Sequence, residues 1–310
     1  MYDTLYFWVD VLQNDTDPFA VAQYLDNVTE RHNDNSGYSC SGNCRNYIVS
    51  CFQSGISLKG SLAKFYLPSN VCTLTRQLTE EAIECISDNL HLDMKTAKVT
   101  RLDIATAIQT KRKPSDYLSY LGNKPYFNRV RSTKDTLYYN TNRRQLCFYD
   151  KAKEATRKGG IIPNALTGCN LLRYELRLLK DIQNQLQAEA CINGALLYDR
   201  CFYTSIVQKW KIEFESINKL KTGKYMINRI KTPKDAETAL FAYLLQQGQN
   251  EGIIETFVND LKASKTFADP KSYSRLKSVL NKLLQLPTME SSDLITELQT
   301  AINDIAKYSR

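Results

Sequence analysis

Segments in which apolar and polar residues alternate fill most of the first 180 residues, and this period of two is typical of strands. Several of these segments are also rich in aromatic and β-branched residues, which favour strands. Turn residues such as Ser54-Gly55 separate them. The predicted strands are Leu5–Leu12, Asn46–Gln53, Ile56–Leu67, Lys98–Gln109, Tyr126–Arg131, Thr136–Asn140, Gln145–Lys151 and Leu171–Leu179.

Helical signals interrupt this pattern. Asp17-Pro18 predicts a helix start that continues to Arg31, because Asp caps helices and proline suits the first helical position. Further helices are predicted from Thr79 and over Pro114–Leu121. The order is β-α-β-β-α-β, and a second cycle of strands follows it. We therefore predict an α+β fold with a mostly antiparallel sheet and packed helices, compatible with two similar β-α-β-β-α-β-like halves.

The pattern changes to helical spacing after Lys180, with a turn or linker at Lys221–Lys224. This change predicts an α+β domain over residues 1–180 and a helical C-terminal region over residues 181–310. The predicted helices are Asp181–Glu189, Gly194–Arg200, Thr204–Leu220, Pro233–Gln247, Ile253–Ala263, Lys271–Leu286 and Ser292–Lys307.

Composition favours a cytoplasmic protein. No apolar run approaches the ~20 residues that span a bilayer, and the N-terminus lacks the basic segment of a signal peptide. Nine scattered cysteines are expected to be free thiols in a reducing cytosol. Cys40 and Cys44 have a spacing found in zinc sites, but no second Cys or His pair follows at a suitable distance.

Positive charge is concentrated in one stretch of the chain. Between Lys111 and Lys180 there are sixteen Lys or Arg and five Asp or Glu, a surplus of eleven, whereas the whole chain carries +8. Tyrosine and phenylalanine lie between these cations. This combination favours DNA, because cations bind phosphates and rings stack on bases. A solvated basic face without a partner is the alternative.

Alternation places polar side chains on one face of three predicted strands. Arg101 and Asp103 point away from Leu102 and Ile104. Cys147, Tyr149 and Lys151 share a face, as do Arg173, Glu175 and Arg177. Two carboxylates suit Mg²⁺ or Mn²⁺, and a nearby cation would help a phenol of pKa about 10 to attack phosphate. Glu175 between two arginines also suits a structural ion pair.

The order of these blocks resembles the gene II/X family of phage and plasmid replication proteins. The blocks are RLDI (101–104), TLYYNTNRRQLCFYDKAKE (136–154) and LLRYELRL (171–178). That family has an R-[IL]-D strand, an aromatic pair, a basic turn, a Tyr-x-Lys strand and an R-[FY]-E strand. The resemblance covers residues 95–180 well and the preceding residues in outline.

The resemblance implies a role for each matching residue. Tyr149 would be the nicking nucleophile and Lys151 its companion, while Asp103 and Glu175 would bind the metal. Asp10 is a candidate third ligand. Arg143 and Arg144, in the basic turn, would contact DNA. The complete set of predicted DNA contacts is Arg101, Arg129, Arg131, Arg143, Arg144, Arg173 and Arg177.

Two departures sharpen this hypothesis. His32 and His91 are the only histidines, so the His-hydrophobe-His metal motif of many rolling-circle initiators is impossible and carboxylates must bind any metal. No Walker A motif occurs, so unwinding would need a host helicase.

We therefore expect a rolling-circle initiator that nicks one origin strand, forms a 5′-phosphotyrosyl bond, leaves a 3′-OH for a host polymerase and later rejoins the ends. The alternative is a non-catalytic, gene X-like DNA-binding regulator of replication. An RNA-binding module is less favoured, because no RNP1-like aromatic block occurs.

Overall fold

The structure, a computed structural model, describes residues 1–11, 17–33, 37–222, 230–247, 253–285 and 290–309. It contains two compact units, one formed by residues 1–218 and 297–310 and the other by residues 219–296. The residues of predicted segments that lie outside the described ranges are Leu12, Gly223, Lys224 and Leu286.

Ten antiparallel strands form one sheet in the first unit, which confirms the predicted α+β class. Their order across the sheet is β2-β3-β4-β5-β1-β6-β10-β9-β8-β7. The strands are β1 Tyr2–Asp10, β2 Asp26–Asn33, β3 Gly37–Cys44, β4 Tyr47–Phe52, β5 Gly55–Ser61, β6 Lys98–Thr110, β7 Asn128–Thr133, β8 Thr136–Asn140, β9 Arg144–Asp150 and β10 Asn170–Leu178.

The sheet consists of two halves with the same strand order. β1 and β6 lie side by side at the centre, and in each half the next four strands return from the outer edge to the centre. Two similar halves are therefore present. The predicted β-α-β-β-α-β order within them is wrong, because β2 to β5 follow one another as an antiparallel meander.

The long helix predicted from Asp17 to Arg31 is also wrong. A 3-10 helix occupies Ala20–Tyr24, and the chain then forms β2, which pairs with β3. The sequence does not predict β3. The buried positions of this strand hold Cys40, Gly42 and Cys44, which are too small to produce a recognisable hydrophobic alternation. A Cβ on Gly42 would lie 2.8 Å from the Asp26 carbonyl oxygen, so glycine is needed there. Strand pairing overrides local helix propensity here.

Helix boundaries follow local capping. The strand predicted to reach Leu67 ends at Ser61, whose side chain accepts a hydrogen bond from the Lys64 amide and caps the next helix. The helix predicted over Asp181–Glu189 is shorter, because Asp181 and Gln187 adopt left-handed conformations at its two ends. The helices of this unit are α1 Leu62–Tyr66, α2 Arg76–Leu90, α3 Pro114–Leu118, α4 Lys151–Arg157, α5 Ile182–Leu186 and α6 Arg200–Glu215.

An aromatic stack packs α6 against the second half of the sheet. The Phe148 and Tyr174 rings stack at 4.5 Å between centroids, and Tyr174 stacks on Trp210 of α6 at 4.8 Å. The Tyr174 hydroxyl also donates to the Trp210 carbonyl oxygen at 3.0 Å. This side of the sheet is called the inward face below, and the opposite side is the outward face.

The second unit is largely helical. β11 Lys221–Thr222 pairs with β12 Glu290–Ser291, and the helices are α7 Pro233–Gln247, α8 Ile253–Ala263 and α9 Lys271–Gln285. Its core contains Ile254, Val258, Tyr273 and Leu280. The last helix, α10 Asp293–Tyr308, belongs to the first unit from Glu297 onwards. Residues 181–310 are thus divided between the two units. Among the described helices, none has the length and apolarity to cross a bilayer.

Candidate active site

Strand register gathers the predicted polar residues on the outward face of the second half. β6, β10 and β9 are neighbours in the sheet. Asp103 lies opposite Arg177, and Tyr149 lies opposite Arg173. Directly opposed residues in antiparallel strands point to the same face, so these side chains share one surface. Glu175 lies between the two arginines on β10.

Glu175 is the centre of a buried ion-pair network. Its side chain is almost fully buried, and the Tyr149 hydroxyl donates to Oε1 at 2.7 Å. Arg173 Nε contacts the same oxygen at 3.3 Å. Arg177 donates to Oε2 from Nε at 2.8 Å and from Nη2 at 2.6 Å. The ion pairs that the sequence left open as an alternative role for Glu175 are therefore present.

Asp103 forms a second pair in the same surface. Arg101 donates to its two oxygens from Nε at 3.0 Å and from Nη2 at 2.7 Å. Burial nevertheless raises the pKa of Asp103 to about 6, against the lowering effect of Arg101 and Arg177, and the negative charge of Glu175 adds to the rise. The two carboxylates are thus close enough to interact electrostatically.

The phenol of Tyr149 is held in its protonated form. Burial raises its pKa well above the ordinary value, the negative charge of Glu175 raises it further, and only Arg173 opposes the rise. A phenol in this setting attacks only if a neighbour accepts its proton. Glu175 Oε1 already accepts the hydrogen bond from that hydroxyl, so it is the group placed to do so.

Lys151 does not continue the strand as predicted. β9 ends at Asp150, whose side chain accepts a hydrogen bond from the Lys153 amide and caps α4, so Lys151 is the first helical residue. Its buried Nζ donates to Asn70 Oδ1 at 2.8 Å and to Glu154 Oε2 at 2.7 Å. The cation directly opposite Tyr149 is Arg173.

Asp3 joins the network, although the sequence did not single it out. Its Oδ2 accepts from Arg173 Nη2 at 2.8 Å, and Ser61 Oγ donates to its Oδ1 at 2.5 Å. Burial is the largest single effect and raises the pKa of Asp3, but Arg173, Ser61, Lys151 and Asn70 together outweigh it, so the pKa is lowered. A register irregularity between Tyr2 and Leu5 interrupts the alternation of β1, so a simple pattern gives no sign of this placement.

Asp10 lies apart from these groups. It is the last residue of β1 and pairs with Gly55. Seven positions along an extended strand separate it from Asp3, or roughly 23 Å at 3.3 Å per residue. Among the acids of β1, the structure therefore brings Asp3 rather than Asp10 to the network.

Tyr149 also lines an open cleft of about 350 Å³. Tyr138 and Arg177 lie on its sheet side, and Lys153, Arg157 and Lys158 lie at the α4 side. The Lys153 and Lys158 side chains are 57% and 60% exposed, and they pair with Asp135 at 2.8 Å and with Glu154 at 2.7 Å, so a phosphate would compete with these acids. The sequence identified this basic stretch but gave these three cations no separate role. The acids that line the cleft are Asp135, Asp150 and Glu154.

Four predicted DNA contacts lie outside the ion-pair network. Arg129 and Arg131 are on the edge strand β7, where they donate to the Leu121 and Lys134 carbonyl oxygens. Arg144 pairs with Glu213 at 2.5 Å. Arg143 pairs with Asp181 at 3.2 Å, and its side chain is largely exposed. Arg143 is thus the most accessible cation of the basic turn.

The donor chemistry of Asp103 and Glu175 suits a hard divalent cation, since both offer carboxylate oxygens on one surface. Both carboxylates are engaged with arginines, so a metal ion would have to compete with Arg101 and Arg177. Within the described ranges, no three His, Cys, Asp or Glu side chains form a group able to hold a metal. The pair would therefore be an incomplete ligand set by itself.

Comparison with known proteins agrees with the motifs on these strands. No curated protein matches the chain. A family model for the N-terminal part of the gene II-type replication-associated protein of phages matches residues 1–229, which include every strand of the ten-stranded sheet. This match confirms the resemblance to gene II-like proteins. The chain therefore belongs to this family of phage replication-associated proteins, with a role in phage replication.

Proposed function

We propose that this protein starts replication by nicking one strand of an origin duplex through Tyr149. The observation that carries the proposal is the hydrogen bond from the Tyr149 hydroxyl to Glu175, at the edge of a cleft lined by four cations and three acids. The proposed nucleophile, its proposed proton acceptor and side chains that could bind phosphate are thus neighbours.

In the proposed reaction, Tyr149 Oη attacks the scissile phosphorus and its proton passes to Glu175. The bond from phosphorus to the 3′ oxygen breaks, and that oxygen takes a proton from solvent. The products are a 5′-phosphotyrosyl bond and a free 3′-OH that a host polymerase could extend. The phosphotyrosyl bond conserves the energy of the phosphodiester, so the ends can be rejoined.

Arg173 and Arg177 hold Glu175 from two sides and fix its oxygens relative to the phenol. Lys153, Arg157 and Lys158 would bind the phosphates of the cut strand. Asp103 and Glu175 would hold Mg²⁺ or Mn²⁺, which when bound supplies positive charge against the charge developing on the phosphate. A host helicase would unwind the duplex.

Tyr149→Phe tests the nucleophile, since it removes one hydroxyl with little change in volume. Tyr138→Phe is the matched control, because Tyr138 lines the same cleft. With a labelled origin oligonucleotide and Mn²⁺, the parent and Tyr138→Phe should form a denaturation-resistant protein–DNA adduct and Tyr149→Phe none. An adduct with Tyr149→Phe would exclude Tyr149 as the nucleophile.

One observation favours the alternative, a non-catalytic DNA-binding regulator. Both carboxylates of the proposed metal pair are neutralised by arginines, as in a structural network. Supercoiled origin plasmid separates the two functions. Relaxation that requires Mn²⁺ and is lost in Asp103→Ala supports the nickase, whereas tight origin binding without relaxation under any metal supports the regulator.

A further inference from the structure

The outward face of the first half carries aromatic rings. Trp8 and Phe52 stack with centroids 6.3 Å apart and an interplanar angle of 24°. Tyr6 is on the same face, since it lies two residues before Trp8 on β1 and opposite Lys59 on β5. Tyr6, Trp8, Phe52 and Lys59 are called the aromatic platform below. Phe52 is 39% exposed, although burial would favour such a ring.

Gly55 allows the indole of Trp8 to lie across the sheet. A Cβ at Gly55 would come within 2.6 Å of Trp8 Cζ2, so a larger residue would displace the ring. Gly55 is opposite Phe52 in β4, and the indole therefore reaches Phe52 across this position. The stacking of the two rings therefore depends on this glycine.

Two cations lie against the Tyr6 ring. Lys59 Nζ is 5.9 Å and the Arg101 guanidinium carbon 5.0 Å from its centroid. Arg101 also donates to Asp103, which lies opposite Arg177 on the surface that contains Tyr149, so the platform adjoins that surface. Among the described residues, Lys59 has no ion-pair partner. Its exposed charge is available to an anionic ligand.

We propose that the aromatic platform binds single-stranded DNA by base stacking, next to the strand that is cut. This inference rests on the proposed nicking function. Rings with nearby cations suit bases joined by phosphates, and any base can stack. A protein partner would match the rings but would not account for cations that continue into the proposed site. Lys59 and Arg101 lie at the Tyr6 end of the platform, so the strand should run towards Arg101.

Trp8 makes the proposal directly measurable. The chain has two tryptophans, and Trp210 is fully buried, so quenching of tryptophan emission by DNA would report on Trp8. The full chain is titrated in EDTA with a short oligothymidylate and with an abasic oligonucleotide of equal length and charge. The thymidylate should quench emission and bind more tightly than the abasic strand.

Variants of the platform then test whether its rings are the ones that stack on the bases. Fluorescence anisotropy of a labelled oligothymidylate should show affinity reduced about 5- to 150-fold in Trp8→Ala and within a few-fold of the parent in Trp8→Phe. Tyr308→Ala is the control, because Tyr308 is 74% exposed and has Lys307 over its ring but lies on α10. It should bind like the parent. Thermal melts identify any variant that fails to fold.

Equal binding of the thymidylate and abasic strands by the parent would overturn the proposal, and so would unchanged emission at saturation. These tests use the unaltered protein and do not depend on a variant folding. Self-association that covers Trp8 and blocks DNA would overturn it in favour of an interface between copies. Base stacking without a covalent DNA adduct at Tyr149 would instead support the aromatic platform and contradict the proposed nicking function.

Discussion

The two halves of the sheet share one strand order but present opposite chemistry on the outward face. In the second half this face carries Asp103, Glu175 and the arginines that neutralise them, together with Tyr149, and Asp3 of the neighbouring strand β1 joins this network. In the first half the same face carries Tyr6, Trp8 and Phe52 with serines between them. Topology therefore supplies a surface, and the outward-pointing residues decide its function.

The difference also shows in burial. Arg173, Glu175 and Asp103 are at most 3% exposed although they lie on the outward face, whereas Ile48 is 55% exposed on the equivalent face of the first half. Buried charges need fixed partners, which rigidifies the second half, while exposed apolar residues carry no such requirement. The following substitutions test this contrast, from the largest expected effect to the smallest.

Glu175→Gln should slow adduct formation about 100- to 10,000-fold, because the amide cannot accept the Tyr149 proton. Single-turnover cleavage of an origin oligonucleotide measures the rate, and DNA affinity measured in parallel should change little. Ile48→Ala, at an exposed position in the first half, should cleave at the parental rate. A Glu175→Gln rate within threefold of the parent would remove Glu175 as the proton acceptor.

Arg173→Met should lower the free energy of unfolding by about 3–5 kcal/mol, because it leaves Asp3 and Glu175 buried without their shared cation. Urea denaturation followed by circular dichroism measures the loss. Arg200→Met, at an exposed position of α6, is the control and should stay within about 0.5 kcal/mol of the parent. Equal stability of the two variants would mean that the network contributes nothing to folding.

Asp3→Asn and Asp10→Asn compare the acid that the structure brings to the network with the acid that the sequence suggested. Asp3→Asn should destabilise by about 1.5–3 kcal/mol, because the Arg173 guanidinium loses a charged partner. Asp10→Asn should leave Mn²⁺ affinity unchanged, since Asp10 lies roughly 23 Å from Asp3 along the strand. Calorimetric titration with Mn²⁺ measures this affinity. A tenfold weaker Mn²⁺ affinity in Asp10→Asn would indicate that Asp10 is a metal ligand after all.

Ile48→Ala should change the free energy of unfolding by about 0.5 kcal/mol or less, because the side chain is already half exposed. Val49→Ala, the next residue on the buried inward face, should cost about 2 kcal/mol at ~0.8 kcal/mol per buried methylene. Urea denaturation compares the two. A large loss for Ile48→Ala would indicate that the outward face of the first half is covered.

Much of the fold could be predicted because the second half follows simple rules. The alternation in β9 and β10 places Leu146, Phe148 and Tyr174 inward, where they are buried. β8, in the same half, matches its predicted bounds. The helices α7 and α8 of the second unit also match theirs. The first half is less predictable from sequence, because β3 has small inward residues and the local pattern predicts a helix where β2 begins. Those strands depend on pairing with distant segments, which local periodicity does not encode.

The sequence by itself determined the antiparallel α+β class, the concentration of positive charge, the alternation that puts Glu175 between two arginines, and the family through its motifs. Only the tertiary structure decided which groups meet. Lys151 is the first residue of α4, because the side chain of Asp150 caps that helix. Asp3 contacts Arg173, because the pairing of β1 is irregular near the start of the strand. The first outcome depends on a local helix cap that the strand pattern does not reveal, and the second depends on the pairing of strands far apart in sequence. Tertiary contacts therefore decided that Arg173 and Glu175, rather than Lys151, surround the hydroxyl of Tyr149.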